Sequence, residues 1–413
     1  MSPCLDWPEK ALAVGLANRS QTLPRVFDAH GATASQPLPC SQSHNIFIGD
    51  NLLALRLFRH ENLCFHFIYI DPPYNSGQLF TYRDKHGSCV CAENAENAWL
   101  SMMAPRLVLA RDVLHENGVI FVSIDDREIA ALTLLMREIF GPENHIGTLK
   151  WKKKRKPSFL DRHLGNVVEY VLVFAKNAKK FPRLLGEPAT DTTRPVLNAS
   201  NGVCTRTLPA GARAMCPDGK YLAGVRRNKT LDANFLSDFE IRNGRLVAQV
   251  EVSGRFRVSQ ELFQKTAFIT PKAGLRRIVL AEELTRKHAT DNCTEWPTNE
   301  DAEQELREIF GGRVFDYPKP VGLLTNLLKM CQFPGEQEIR CLDFFAGSAS
   351  LSEAVLRMNS ESNVPHLFSL VQNQEPISSG GRFSTIAELT VERARFAIRK
   401  NHETRPLNIF HLR

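Results

Sequence analysis

Apolar residues along this chain fall into short runs, separated by segments in which they recur at helical spacing. Ile46, Phe47 and Ile48 form the first run, and Leu52, Leu53, Leu55 and Leu57 then predict a helix starting near Asp50. Phe65, Phe67, Ile68, Tyr69 and Ile70 form a second run that stops at Asp71-Pro72-Pro73-Tyr74, where two prolines remove backbone donors and end a ladder. Asp71 is thereby placed at a strand's carboxyl end. Leu100, Met103, Leu107, Ala110 and Leu114 predict a helix reaching Gly118, and Val119 to Ile124 a buried strand. Leu132, Leu135, Met136 and Ile139 mark a third helix closed by Gly141-Pro142, and Val167 to Phe174 is a β-branched run.

The alternation resumes late in the chain. A helix over Leu323, Leu324, Leu327 and Leu328 precedes a strand from Ile339 to Phe345, a Gly-containing turn, a helix through Ala354 and Leu356, and a strand from Leu367 to Val371. The last helix opens with a capping box, Thr385-x-x-Glu388, and carries Ile386, Leu389, Ala394 and Ala397 on one face. Strands alternating with helices predict an α/β chain, a doubly wound and mostly parallel sheet covered on both faces, with ligands beyond the carboxyl ends of its strands. Two stretches fall outside the pattern. Residues 1–44 hold scattered prolines and read as an irregular arm with one helical turn, wrapping onto the body. Residues 176–312 lose periodicity and read as an insertion, which divides the rest into halves, 45–175 and 313–413.

Composition narrows the class. With 413 residues, 43% hydrophobic and 23% charged, the chain is an ordinary globular protein with enough length for a sizeable core. Its net charge of +7 permits a polyanionic partner without demanding one. Apolar runs of about six residues fall far short of the roughly 20 that cross a bilayer, and the N-terminus lacks the pattern of a secretory signal, so a cytoplasmic protein is expected. The ten cysteines include no Cys-x-x-Cys pair and no neighbouring His-x-x-x-His, so no metal site is expected and the thiols read as reduced bystanders.

The strongest chemical signal is Asp71-Pro72-Pro73-Tyr74-Asn75. A carboxylate, a proline-fixed carbonyl and an aromatic ring at a strand end can grip a flat ring bearing an amino group: Asp71 and the Pro72 carbonyl each accept one N–H, and Tyr74 stacks on the ring. The second signal is the strand ending at Asp343, followed by Phe344-Phe345-Ala346-Gly347-Ser348, whose small residues let the backbone approach a nucleotide-like ligand. It lacks Gly-x-Gly-x-x-Gly, which disfavours a dehydrogenase. Trp151 is followed by five cations, Lys152, Lys153, Lys154, Arg155 and Lys156, either a solvated loop or a phosphate-contacting one.

Together these residues resemble the permuted DNA adenine amino-methyltransferases, most closely the modification (Mod) subunits of type III restriction-modification systems. The shared pattern runs through Leu5-Asp6-Trp7-Pro8, Gly49-Asp50-Asn51-Leu52-Leu53-Ala54-Leu55, Ile70 to Gly77, Gly118 to Asp126, Glu169-Tyr170-Val171-Leu172, Tyr317-Pro318-Lys319-Pro320 and Asp343 to Ser348. The resemblance implies a Rossmann-like S-adenosylmethionine-dependent fold with an inserted target-recognition region at 176–312, a catalytic half at 45–175 and a cofactor-binding half at 313–413. It implies site-specific methylation of adenine N6 in double-stranded DNA after base flipping, by Asp71, Pro72, Pro73 and Tyr74. The cofactor would be cradled by Phe344 to Ser348 with Asp343 in support, contacted by Asp50 and Asp71 and closed over by Lys319-Pro320. Glu375 is the candidate for the ribose hydroxyls, against a surface role. Asp50 also fits a helix N-cap, and Tyr170 either a second stacking aromatic beside the DNA-contacting cations or a core residue. Homodimer and restriction-subunit partners stay open. Alternatives are cytosine-N4 or RNA amino-methylation, and a catalytically degenerate DNA-binding specificity protein. Three departures stand out: 176–312 is shorter than the usual recognition region, Ala349 stands where many relatives have Gly, and residues 78–98 match nothing recognisable.

Overall fold

The computed structural model describes residues 5–18, 23–28, 42–74, 95–157, 164–188, 193–228, 231–280, 286–377 and 382–413. Asn75 to Gly77, most of the 78–98 segment and Cys4, Cys40, Cys89 and Cys91 lie outside them. The chain divides into one unit of residues 1–185 and 288–413 and a second of residues 186–287.

The first unit is built on a ten-stranded sheet. Its strands in chain order are β1 (Val26–Asp28), β2 (His44–Ile48), β3 (Phe65–Ile70), β4 (Leu114–Ile124), β5 (His145–Lys152), β6 (Val168–Ala175), β7 (Asn292–Cys293), β8 (Ile339–Asp343), β9 (His366–Gln372) and β10 (Leu407–Leu412). Across the sheet they run β1-β10-β2-β9-β8-β3-β4-β6-β5-β7. The central strands from β10 to β4 are parallel, and β1 and β6 are antiparallel to their neighbours. The helices are α1 (Lys10–Asn18), α2 (Asn51–His60), α3 (Ala95–Val113), α4 (Ile129–Phe140), α5 (Asn299–Phe310), α6 (Val321–Met330), α7 (Ser350–Glu361) and α8 (Ile386–Lys400).

Burial on both faces explains the continuous apolar runs. Along β3, Ile68 and Ile70 pack under α1 to α4, whereas Phe67 and Tyr69 face the core shared with α6 to α8. The same alternation splits β4 into Ile120, Val122 and Ile124 on one face and Val119 and Phe121 on the other. After β3 the chain winds through α3 to β4 on one side, and after β8 it winds through α7 to β9 on the other. The switch point of the doubly wound sheet therefore lies between β3 and β8, which are adjacent in the sheet despite their distance in sequence.

Three sequence expectations change. The arm forms a nine-residue helix, α1, not one turn, because Ala13 and Ala17 bury against the body while Trp7 Nε1 donates to Ser101 Oγ at 3.0 Å. The irregular stretch 176–312 narrows to the compact unit 186–287, since β7 and α5 belong to the main sheet and its covering helices. Lys152 closes strand β5 instead of opening a loop, and Trp151 is buried beside it.

The second unit is mainly antiparallel. Among the described residues a four-stranded sheet joins 224–228, 231–235, 250–254 and 204–208, with two three-stranded sheets and one short helix, Gln260–Thr266. Its own core includes Leu208, Phe235, Val252, Phe263 and Leu275. Residues 186–287 carry 17 Lys and Arg against 10 Asp and Glu, so this unit holds the entire +7 of the chain and the rest is balanced.

Candidate active site

Two strand ends meet at the switch point. β3 delivers Asp71-Pro72-Pro73-Tyr74 and β8 delivers Asp343 and the turn after it, because both strands stop at the same edge of the sheet. A cavity of about 580 Å³ opens there, lined by Asp71 to Tyr74 on one side and by Asp343, Phe345, Ala346, Gly347 and Ser348 on the other. That volume is in the range of small-molecule sites.

The first loop is held from outside and inside. Trp99 on α3 is fully buried and its Nε1 donates to the Pro73 carbonyl at 2.6 Å. Tyr74 donates its hydroxyl to Asp71 Oδ1 at 2.5 Å and lies 3.3 Å from Glu169 Oε2. Lys319 Nζ lies 2.9 Å from Asp71 and 3.0 Å from the Tyr74 hydroxyl, and Lys153 Nζ donates to Glu169 Oε1 at 3.1 Å. Asp71 keeps 25% of its side chain open, yet loss of water around it pushes its carboxyl above the usual aspartate range, opposed by Lys319. Burial acts against the ionised form of Glu169 too, but Lys319 and Lys153 together hold it below its ordinary value.

The second turn is built for close approach. Gly347 has φ 51°, in the left-handed region, and a Cβ built there would meet the Phe315 ring at 3.5 Å, filling the gap between turn and ring. Gln372 Oε1 accepts from Gly347 N at 2.8 Å, Asp343 Oδ1 accepts from Phe345 N at 3.0 Å, and the Thr390 hydroxyl donates to the Gly347 carbonyl at 2.6 Å. Arg393, fully buried on α8, donates to the hydroxyls of Ser348 and Ser350, each at 2.9 Å. Ala349 adopts φ 61°, which costs an L-residue roughly 1–2 kcal/mol relative to glycine. These small residues at the start of α7, beside a carboxylate-bearing strand end, fit an adenosyl-type ligand.

The remaining candidates separate. Asp50 caps α2, accepting from Leu52 N at 2.7 Å and lying 3.4 Å from Arg106, and is not among the cavity's lining residues. Its neighbour Asn51 ties α2 to β8 by donating to the Phe344 carbonyl at 2.8 Å. Phe344 is core, and Pro320 precedes α6 behind Lys319. Glu375 sits half-buried three residues past β9 and does not line the cavity. Tyr170 points to the sheet face opposite Glu169, packing on the core under α1 to α4, which takes it away from the cavity. Of the cations, Lys153 and Lys154 line the cavity, Arg155 pairs with Asp301, and Lys156 is exposed.

Sequence reasoning assigned no role to Glu169, Trp99, Gln372 or Arg393. Two of these carried a signal: Glu169 interrupts an apolar strand, and Arg393 falls on the same helical face as Leu389 and Ala397. At the opposite end of the sheet, His66, His115 and Glu336 bring possible ligand atoms within 4.8 Å of one another. His66 Nδ1 accepts from Arg340 N at 3.1 Å, so Nε2 carries the proton toward Glu336, the reverse of the tautomer a metal ligand takes, while His115 Nδ1 lies 2.6 Å from Asn117 Oδ1. No helix among the described residues is long and apolar enough to cross a membrane.

Comparison with known proteins places the arrangement. The chain is 31% identical over 386 residues to the Mod subunit of the StyLTI type III restriction-modification enzyme of Salmonella typhimurium LT2, covering 85% of this chain and 56% of that one. It is 28% identical over 452 residues to the Mod subunit of the EcoPI type III enzyme of Escherichia phage P1, covering 97% and 69%. To the type II methyltransferase M.KpnI of Klebsiella pneumoniae it is 27% identical over 391 residues, covering 86% and 88%. The chain thus spans little more than half the length of the Salmonella relative. Residues 65–363, which begin with the strand bearing Asp71 and run past the turn at Gly347, match the DNA methylase family, and the chain belongs to that family.

Proposed function

We propose that this chain transfers the methyl group of S-adenosylmethionine to the exocyclic N6 amino group of adenine in double-stranded DNA. One observation carries the reading: the amine-gripping loop Asp71 to Tyr74 and the small-residue turn Phe345 to Ser348 line a single cavity. When bound, S-adenosylmethionine supplies an electrophilic methyl on a sulfonium, and the protein's residues do the rest. Asp71 and the Pro72 carbonyl accept the two N–H groups of the amine and fix its orientation, from which much of the rate follows. Tyr74 offers its ring to the flipped base. Trp99 keeps the loop in shape through the Pro73 carbonyl.

Adenine is favoured over cytosine because the loop reads Asp-Pro-Pro-Tyr, the form usual in adenine-specific relatives. The second unit supports a DNA substrate, since it carries the whole net positive charge. We assign to residues 186–287 the recognition of the target sequence, and to the chain a place as the modification component of a restriction-modification system, paired with a restriction subunit or acting as an orphan.

The test is transfer of labelled methyl to unmethylated DNA with nucleoside analysis. N6-methyladenine is the expected product. N4-methylcytosine would overturn the base assignment, and methylated RNA with unmethylated DNA the substrate. DNA affinity should fall about 10²-fold between 50 and 200 mM salt, as expected for a few phosphate contacts. Titration by fluorescence anisotropy at four salt concentrations checks this, and a flat response would remove the basic unit from the interface.

A further inference from the structure

Around Asp71 the structure gathers charges that gripping an amine does not by itself require. Lys319, which precedes α6, is 7% exposed and reaches both Asp71 at 2.9 Å and Glu169 at 3.3 Å. Glu169, on β6, is held from its other side by Lys153, just past β5. The Lys319 carbonyl accepts from Ser350 Oγ at 2.6 Å, tying this residue to the first turn of α7 as well. Asp71 is thus linked through Lys319 to Glu169 and α7, and through Glu169 to Lys153.

We propose that Lys319 and Glu169 form a positioning pair that sets the ionisation and aim of Asp71. The proposal rests on the reading of Asp71 as the acceptor for the substrate amine. A carboxylate can accept only in the directions left open, and it has about four acceptor sites. Lys319 and Tyr74 occupy the inner ones, so the remaining lone pairs face the cavity. Protonation would turn one oxygen into a donor and abolish half of the grip.

The groups facing Asp71 act in opposite senses. Burial opposes the carboxylate and so does Glu169, while Lys319 and the hydroxyl that Tyr74 donates to it favour it; Tyr69 on β3 and Asp343 on β8, which also face it, give no such support. Lys319 itself stays charged, because Asp71 and Glu169 outweigh its own desolvation. Glu169 thus does two things: it anchors the ammonium, and its negative charge tempers the effect on Asp71. Removing Lys319 must raise the Asp71 carboxyl further, and neutralising Glu169 must lower it. An ion pair that only braced the fold would change the rate by one factor at every pH and leave the limb where it is.

The experiment is the pH profile of single-turnover methyl transfer, with DNA and S-adenosylmethionine saturating, for wild type, Lys319→Met, Lys319→Arg and Glu169→Gln. Lys319→Met should move the acid limb to higher pH by at least one unit, so that the rate at a fixed pH below the limb falls tenfold or more and recovers as pH rises. Lys319→Arg should keep the limb in place, and the nearly isosteric Glu169→Gln should move it to lower pH. Should the Met variant fail to fold, the sign of the Gln shift alone decides. Rates lowered by one factor at every pH, or shifts of the same sign in both variants, would overturn the pair. A wild type that transfers no methyl at any pH would instead overturn the reading of Asp71, and the pair's role with it.

Discussion

Asp71→Ala should lower the single-turnover rate of methyl transfer by about 10³-fold or more while changing cofactor affinity only a few-fold. The carboxylate is one of two acceptors that hold the amine, and orientation of bound reactants is worth several kcal/mol of the barrier. An alanine removes the acceptor and leaves Lys319 with Glu169 alone, a buried ammonium with half its compensation. The cofactor turn is held independently by Gln372, Thr390 and Arg393, none of which touches Asp71, so binding there should survive. Asp71→Asn separates shape from charge: the amide oxygen still accepts one bond, but its NH₂ meets the Lys319 ammonium donor to donor. It should retain a small fraction of the rate above the alanine variant. Rapid-quench transfer measured beside equilibrium cofactor binding checks both parts. Equal losses in rate and binding would mean that Asp71 supports the cofactor and not the amine.

Much of this site is legible in the sequence because strand ends are. Two prolines after Ile70 and a small-residue turn after Asp343 announce where β3 and β8 stop, and an alternating α/β pattern places both stops on one edge. Adjacency of β3 and β8 is not legible, because it depends on pairing between strands far apart in the chain. The same limit hid Lys319: its motif suggested a lid over the cofactor, whereas the fold brings its ammonium onto Asp71. Short edge strands such as β1 and β7, of three and two residues, have no periodicity to detect. Asp50 shows the converse. Its helix cap was readable from local chemistry, while its proposed contact with the adenosyl group depended on a cavity whose lining does not include it.

Arg393→Leu should cost about 3–5 kcal/mol of stability and weaken S-adenosylmethionine binding about tenfold or more. Arg393 is fully buried, and its guanidinium joins α8 to the cofactor turn through the Ser348 carbonyl at 3.2 Å and the Ser348 and Ser350 hydroxyls, and to α5 through Glu305 at 3.3 Å. Removing one partner of a buried ion pair leaves the other charge uncompensated, which is where a loss of that size comes from. Burial already pushes the Glu305 carboxyl upward against the pull of Arg393, so without the guanidinium it will take up a proton more readily. Ser348 and Ser350 lose their shared donor at the same time, and the turn that Gly347 bends is left with Thr390 and Gln372. Arg393→Lys keeps the charge but replaces a planar fork with a point charge, so it should recover stability better than cofactor affinity. The double variant Arg393→Leu, Glu305→Gln should be less destabilised than the single one, because the stranded carboxylate is gone, yet should bind cofactor no better. Denaturant melts and calorimetric titration of the four proteins separate these terms. Cofactor binding restored along with stability would show that Arg393 acts through the fold of α8 alone and does not shape the turn.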